Sequence, residues 1–332
     1  MVRVLSEADI ASVLELETLL PILADAFKKQ YRGEVERPER PHYPIGTGLD
    51  PDASDEPTGT GLCMPAYLHG AAYGVTKLVT VCEDNPERGL PTVTAQIAVT
   101  DAETGQPVGY LAGNHITNAR TGCIGGLAVR ELAIDGPLEV AVIGAGTQAR
   151  WQTRAIAAAV GTDRLKSIQV WSPSDSRNEC AADLEAELDV PVTPVSSPHE
   201  AVTDTSVVVT ATTSTAPVFP GDALESGTLV IAVGAYSAEM RELDDETIDR
   251  AARVLADVPE AARETGDLRG HTSLEIKPFG AVFDGEPGRK SGDEILVFAS
   301  VGTAVLDAAT AEYVFERAID CDAGTVVPHE QI

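Results

Sequence analysis

Lysine is scarce in this chain. Six of its 332 residues are Lys, and Lys and Arg together number 24 against 52 Asp and Glu, a formal net charge of −28. Such a surface repels polyanions, which excludes nucleic acid and anionic membranes as partners. The acidic excess is spread along the sequence rather than held in a tail, which argues against a disordered acidic segment. No run of 18 apolar residues occurs, so no membrane-spanning helix is expected. Residues 1–9 lack a long apolar stretch, so no signal peptide is expected and the default location is cytoplasmic. Cys63, Cys82, Cys123, Cys180 and Cys321 form no C-x-x-C motif or Cys/His cluster, and the six His show neither metal-ligand nor nucleophile–base spacing. That pattern points to reduced thiols and to no metal site. Internal repeats and low-complexity segments are also lacking.

What is present suits a folded two-domain protein. The length exceeds one typical domain, and 43% hydrophobic residues supply a sizeable core. Residues 2–5 read as a strand, and Ser6 with Asp9 three positions on reads as a helix start. A second helix is expected over 19–31, stopped by Gly33. Residues 37–61 read as loop, with an exposed acidic excursion at 49–56. Apolar, β-branched runs at 62–68, 72–81, 92–99 and 107–111, with a turn at Asp101 to Gly105, predict an antiparallel sheet. A helix over 114–132 follows.

From residue 139 the pattern becomes alternating β and α. Strands are expected at 140–143, 167–171, 206–210, 228–233 and 253–256, and a final helix over 301–318. The fold class is therefore α/β: a Rossmann-type doubly wound parallel sheet plus an α+β module. The expected boundaries are 121–302 for the nucleotide domain, and 1–120 with 303–332 for a substrate and dimerisation domain.

The most informative stretch is Gly144-Ala145-Gly146-Thr147-Gln148-Ala149, a G-x-G-x-x-A loop between an apolar strand and helix-compatible sequence. In a dinucleotide fold Gly144 makes the tight turn, Gly146 lets backbone N–H groups approach a pyrophosphate, and Ala149 lets helix and strand pack closely. The helix N-terminus then faces the phosphates. After the next strand, Ser172 stands where an acidic residue would read the NAD ribose. Ser174 and Arg177 suit a 2′-phosphate, while Asp175 keeps NAD open, so the cofactor is NAD(P) with the balance towards NADP(H). Thr212, Thr213 and Ser214 either line the cofactor or form an ordinary polar loop.

With basic residues so few, those among apolar or small neighbours stand out. Lys77, inside a strand, is either a solvated outer-face residue or a cation facing a pocket. Arg120 is surrounded by small residues and is either a ligand contact or an ion-pair partner. Arg40, between Pro38 and Pro41, is a loop cation that could be a plain surface charge. Together the three could grip a carboxylate. Trp151 and Trp171 read as packing residues, and His115 as a residue of a local loop hydrogen bond or, being close to Arg120 in sequence, one that approaches the pocket.

Over essentially its whole length the sequence resembles the ornithine cyclodeaminase/mu-crystallin family. The resemblance rests on Arg37-Pro-Glu-Arg40, Gly74-Val-Thr-Lys77, Asn85 with Gly89-Leu-Pro-Thr92, Asp101-Ala-Glu-Thr-Gly105 and Thr117-Asn-Ala-Arg-Thr121. It continues in Gly144-Ala-Gly-Thr-Gln-Ala149, Val233-Gly234 with Met240-Arg-Glu-Leu243, and Glu294-Ile295 with Ser300-Val301-Gly302. The family includes cyclodeaminases, L-alanine dehydrogenases, ketimine reductases and NADPH-binding crystallins. The resemblance implies that Arg40, Lys77 and Arg120 hold a substrate α-carboxylate near the nicotinamide. It also implies that Val233, Ser300, Val301 and Gly302 help to bind the coenzyme, and that the chain is a homodimer.

One departure separates the branches. Ornithine cyclodeaminases carry an Asp shortly after the Val-Gly motif to bind the distal amine, and Tyr236 stands there in this chain. A neutral phenol is a poor ionic partner for an ornithine δ-ammonium. The expectation is an NAD(P)-dependent oxidoreductase of a small α-amino, α-keto or α-imino acid, of alanine dehydrogenase or ketimine reductase type. Ornithine cyclodeaminase and a crystallin-like binder without turnover are the rivals.

The acidic surface matches the high-salt cytoplasm of a halophilic archaeon, where counter-ions screen self-repulsion. Thermal melts from low to molar KCl should show the melting temperature rising with salt. A fall in stability as salt rises would overturn that reading.

Overall fold

The computed structural model describes residues 1–49, 56–235 and 237–331. Most of the acidic excursion at 49–56, and Tyr236, lie outside the described residues. In chain order the elements are β1 (Val2–Leu5), α1 (Glu7–Val13), α2 (Leu16–Arg32), β2 (Val35–Glu36), β3 (His42–Ile45), β4 (Gly59–Leu68), β5 (Tyr73–Val81), β6 (Val93–Asp101), β7 (Pro107–Ala112) and α3 (Gly113–Leu132). They continue with β8 (Leu138–Ile143), α4 (Thr147–Val160), β9 (Leu165–Trp171), α5 (Ser176–Leu188), β10 (Val192–Pro194), α6 (Pro198–Val202), β11 (Val207–Thr210), β12 (Leu229–Ala232) and α7 (Asp245–Arg250). The last are β13 (Arg253–Ala256), α8 (Pro259–Ala262), β14 (Ile276–Pro278), α9 (Gly280–Phe283), β15 (Leu296–Ala299), α10 (Ala304–Asp320) and β16 (Thr325–Val327).

The chain divides into two compact units. One comprises Met1–Glu15, Arg32–Arg120 and Ala304–Ile332, the other Leu16–Tyr31 and Thr121–Thr303. Residues 16–31 thus group with the second unit, where Phe27 meets Phe279 edge-on at 5.2 Å.

The first unit is built on a sheet in the order β16-β1-β7-β6-β5-β4-β2, with β3 also on β4. It is antiparallel except where β1 runs parallel to β7. Residues 37–61, expected as loop, contain β3 and the start of β4, because β3 is held by backbone pairing to β4 and buries no apolar face that the sequence could show. Ser6 caps α1 as expected: its hydroxyl accepts from the Asp9 N–H, and the Asp9 carboxylate accepts from the Ser6 N–H. Period-two alternation puts Val75, Lys77 and Val79 on the covered face of β5, where α10 packs. Lys77 is therefore not an outer-face residue.

The second unit carries a parallel sheet in the order β10-β9-β8-β11-β12-β15-β13-β14. Its central strands β8, β11, β12 and β15 are buried nearly throughout, as a sheet covered on both faces requires. Strand order reverses between β8 and β11, and the carboxyl ends of these strands form the crevice where such folds bind ligands. Strands β10, β14 and the central β15 are absent from the sequence expectation. The tail helix also starts at Ala304 rather than 301, because residues 296–299 run as strand and 300–303 as the turn after it. All five thiols are free. Among the described residues no helix is long and apolar enough to cross a membrane.

The small residues around Arg120 serve helix packing. A Cβ at Gly122 would lie 2.5 Å from Trp151 O, and one at Gly126 would lie 2.5 Å from Ala155 O, both on α4. Alanine favours a helix interior over glycine by about 1 kcal/mol. Overpacking here costs roughly 1–3 kcal/mol and should win, because the atom met is backbone and cannot rotate away. Urea unfolding of Gly126→Ala should show a net loss of stability; a gain would show that α3 and α4 are not held by this approach.

Candidate functional site

Each unit holds one group of candidate residues. In the first, Lys77 projects from β5, Arg120 from α3 and Asp307 from α10. Lys77 Nζ lies 2.6 Å from Asp307 Oδ2. Arg120 Nε donates to Asp307 Oδ1 at 2.9 Å. One carboxylate thus holds two cations, one on each oxygen. All three are buried: Lys77 is 1% exposed, Arg120 6% and Asp307 0%. Lys77 Nζ is also 3.5 Å from Thr117 Oγ1, which donates to Gly113 O at 2.7 Å. Arg40, half-buried in its loop, acts on Lys77 as a third positive charge. The three cations read from the sequence therefore share one electrostatic site within one unit.

The charges set the titration. Burial pushes Lys77 down to about 8; Asp307 opposes this, and Arg120 and Arg40 reinforce it. Burial alone would raise Asp307, but Arg120 and Lys77 hold it below the usual carboxylate range. The result is a lysine whose proton is mobile near neutral pH, beside guanidinium groups suited to a carboxylate.

Asp307 is the residue the sequence reading lacked. It had a signal: Asp307 lies at helical spacing with Ala304, Ala308 and Ala311 on the buried stripe of α10. A lone acid on such a stripe needs a cation partner, and this chain has few to offer. The backbone N–H of His115 donates to Glu7 Oε2 at 3.0 Å, a bond to a residue far away in sequence rather than the local one expected.

In the second unit the G-x-G-x-x-A residues form the turn from β8 to α4. Gly144 has φ +119° and lies against the β11 loop, where a Cβ would meet Ala211 O at 2.5 Å. Only glycine suits that position. Gly146 and Thr147 are exposed, a Cβ at Gly146 would meet nothing within 4 Å, and Gly146 as N-cap brings no side chain to the first turn of α4. Ala145 and Ala149 are buried and Gln148 half-buried. This is a cradle open on the side a diphosphate would occupy, so the residues fit a dinucleotide.

After β9, Ser172 Oγ donates to Ser174 O at 3.0 Å, and Ser174 and Ser176 hydroxyls meet at 2.6 Å. Arg177 donates to Ser172 O and Ser174 O at 3.1 and 2.8 Å. A hydroxyl cluster beside a fixed guanidinium therefore follows β9, where a dinucleotide fold would place the ribose. Asp175 is exposed, 3.7 Å from Arg177.

Three further segments follow the carboxyl ends of β11, β12 and β15. Thr212 Oγ1 accepts from the Ser214 N–H at 3.2 Å, Thr213 is exposed, and Val233 extends β12 through its N–H to Thr210 O at 3.1 Å. Ser300, Val301 and Gly302 are folded round buried Asp257: Ser300 Oγ donates to Oδ2 at 2.7 Å, Val301 N to Oδ1 at 3.1 Å and Gly302 N to Oδ2 at 2.8 Å. Asp257 follows β13 directly, and its role was not readable without knowing that β13 and β15 are neighbours. Among the described residues no group of three His, Cys, Asp or Glu could hold a metal ion.

Comparison with known proteins gives concordant results. Residues 2–322 match the ornithine cyclodeaminase/mu-crystallin family. A Delta(1)-pyrroline-2-carboxylate/Delta(1)-piperideine-2-carboxylate reductase of Azospirillum brasilense is 34% identical over 317 residues, covering 93% of each chain. The solved structure of Thermococcus litoralis Delta(1)-pyrroline-2-carboxylate reductase with NADH and L-proline superposes with a TM-score of 0.89 at 27% identity, covering 98% of this chain and 100% of that one. An archaeal alanine dehydrogenase dimer with bound NAD gives 0.87 at 26% identity, covering 99% of each.

Removing one partner of a buried ion pair costs about 3–5 kcal/mol. Asp307→Asn should lower the unfolding free energy by that order, read by urea titration at neutral pH. The effect should shrink in acid, because a carboxylate whose folded pKa is depressed stabilises above its unfolded pKa and loses that contribution as pH falls. An unchanged unfolding curve would remove Asp307 as the counter-ion of this site.

Proposed function

The chain belongs to the ornithine cyclodeaminase/mu-crystallin family, and on that premise we propose that it is an NAD(P)-dependent oxidoreductase of small α-imino, α-keto or α-amino acids. The observation that carries this reading is the buried Lys77–Asp307–Arg120 set, with Lys77 brought down to about 8. A carboxylate ligand suits Arg120 and Arg40. Lys77 suits the proton that an imine nitrogen or carbonyl oxygen gains on reduction and returns on oxidation. Asp307 keeps both cations in place, and burial keeps water from competing for them.

The dinucleotide would rest on residues 144–149, with Thr212, Thr213, Ser214, Val233 and residues 300–302 towards its nicotinamide half. When bound, the nicotinamide supplies the redox chemistry. Ser172, Ser174, Ser176 and Arg177 support NADP(H), because hydroxyls and a guanidinium suit a 2′-phosphate and Ser172 rather than an acid follows the strand; Asp175 is the feature that favours NAD(H). A cyclic imino acid is the favoured substrate, in line with the named reductase relatives.

The first unit would be the substrate and dimerisation module. Val4, Leu78 and Tyr110 are 40%, 39% and 40% exposed and share the uncovered face of its sheet by register, which supports a homodimer like the archaeal alanine dehydrogenase. The acidic composition supports a salt-rich cytoplasm of a halophile as its setting.

The test is coenzyme absorbance with NADH and NADPH against cyclic ketimines, pyruvate plus ammonia, and ornithine. Oxidation of NADPH by a cyclic ketimine is expected. Proline formed from ornithine with no net coenzyme change would make the protein a lyase, and coenzyme binding without turnover would make it a binder. Lys77→Met should lower kcat by about 10²–10⁴-fold. The protonated lysine is lost as pH rises through about 8, so reduction should slow and oxidation speed up across that range. A variant with full turnover, or a flat profile, would remove Lys77 from the reaction.

A further inference from the structure

Glu242 lies in the segment after β12 and is fully buried. Its carboxylate joins the ends of two neighbouring strands. Oε2 accepts from Thr210 Oγ1, at the end of β11, and from the Gly234 N–H beyond β12, both at 2.8 Å. Oε1 accepts from the Thr212 N–H at 2.7 Å. The fit at Gly234 is tight: a Cβ there would lie 2.5 Å from Glu242 Oε1 and 2.2 Å from Thr212 O. Thr212 and Gly234 begin the two loops assigned above to the nicotinamide half of the coenzyme.

Among the described residues no cation pairs with this carboxylate as Lys77 and Arg120 pair with Asp307. The charged group acting on it is a second carboxylate, Asp267, whose Oδ1 accepts from the Glu242 and Leu243 N–H groups at 2.6 and 2.7 Å and which is itself moderated by Arg241. The Thr210, Thr212 and Gly234 groups that face Glu242 are neutral. Burial and Asp267 push Glu242 up to about 7 against the three hydrogen bonds.

Protonation has a definite structural consequence. A carboxylate accepts from all three donors, whereas a carboxylic acid must turn one oxygen into a donor. The Thr210 hydroxyl can reverse its role and accept. The Thr212 and Gly234 N–H groups cannot; they then bond to a neutral acid, which accepts more weakly than a carboxylate and, at Oε2, through the oxygen that carries the proton.

We propose that Glu242 is a positioning residue that holds the Thr212 and Gly234 loops in their coenzyme-binding arrangement more firmly while it is ionised, so that coenzyme affinity falls as it takes up a proton. The proposal rests on the coenzyme site inferred above. It makes Glu242 a sensor of acid pH separate from Lys77, acting on binding rather than on proton transfer.

Fluorescence titration of NADH and NADPH into the full-length protein, from the acid to the alkaline side of neutrality, tests it. Wild-type affinity should fall by up to about ten-fold per pH unit below the Glu242 midpoint. Glu242→Gln should bind more weakly at alkaline pH, with an affinity flat through that window. Thr210→Val deletes one donor to the ionised form while keeping the side-chain shape, so it should move the wild-type midpoint to higher pH. A purely structural role would not shift that midpoint, and this variant serves should Glu242→Gln fail to fold. Parallel profiles in wild type and Glu242→Gln, or an unmoved midpoint in Thr210→Val, would overturn the proposal alone. A wild type that binds neither coenzyme at any pH would overturn the coenzyme site and the proposal with it.

Discussion

Asp307 is the constraint on which the first unit's site depends. Two cations buried beside each other repel, and each loses hydration that a protein interior does not replace. A carboxylate with one cation on each oxygen resolves both problems. It also requires that β5, α3 and α10 meet, although Lys77 and Asp307 are far apart in sequence. A sheet face that presents Lys77 among Val75 and Val79 is stable only because α10 lays an acid against it. The chain after the nucleotide unit thus returns to complete a site begun before it.

Glu242 and Asp307 show how surroundings decide the state of one functional group. Both are fully buried carboxylates accepting hydrogen bonds or ion contacts. Asp307 faces two cations and is held ionised; Glu242 faces a further acid and three neutral donors and is poised near neutrality. The first arrangement contributes stability above the carboxylate range. The second costs stability once pH rises above the ordinary carboxylate range, since the folded state then binds a proton that the unfolded chain has released. A buried acid with such a cost is more readily understood as a device for holding loops than as a source of stability.

The sequence carried much of this fold, for reasons that differ by element. The turn after β8 was legible because its glycines answer to backbone geometry, which one chain segment determines locally: φ +119° at Gly144 and an uncapped first turn after Gly146. The Ser6–Asp9 capping box was legible for the same reason. Lys77 and Arg120 were legible as rare cations among apolar or small neighbours. Strand β15 was not, because a four-residue apolar run before a motif and a helix is as compatible with a helix start as with a strand, and only pairing to β12 and β13 decides. Residues 16–31 read as part of the first module because chain order suggests it, whereas the packing of Phe27 places them with the second unit. Asp307, Asp257 and Glu242 share one obstacle: each acts on groups distant in sequence, so its residue type was visible and its partner was not.

The acidic surface and the cationic site pull in opposite directions. A net charge of −28 repels an anionic acid and an anionic coenzyme at long range. All six lysines lie among the described residues, and Lys77 alone is buried; the rest are half-buried or exposed, where their field meets that of the surrounding acids. Attraction for a carboxylate is therefore confined to short range, inside the low-dielectric site. Salt acts on these two terms unequally. At about 1 M the screening length falls to roughly 3 Å, which removes the long-range repulsion while leaving contacts of hydrogen-bond length between buried groups largely intact. For a chain with this composition, rising salt therefore weakens long-range repulsion of an anionic ligand more than it weakens the buried ion contacts.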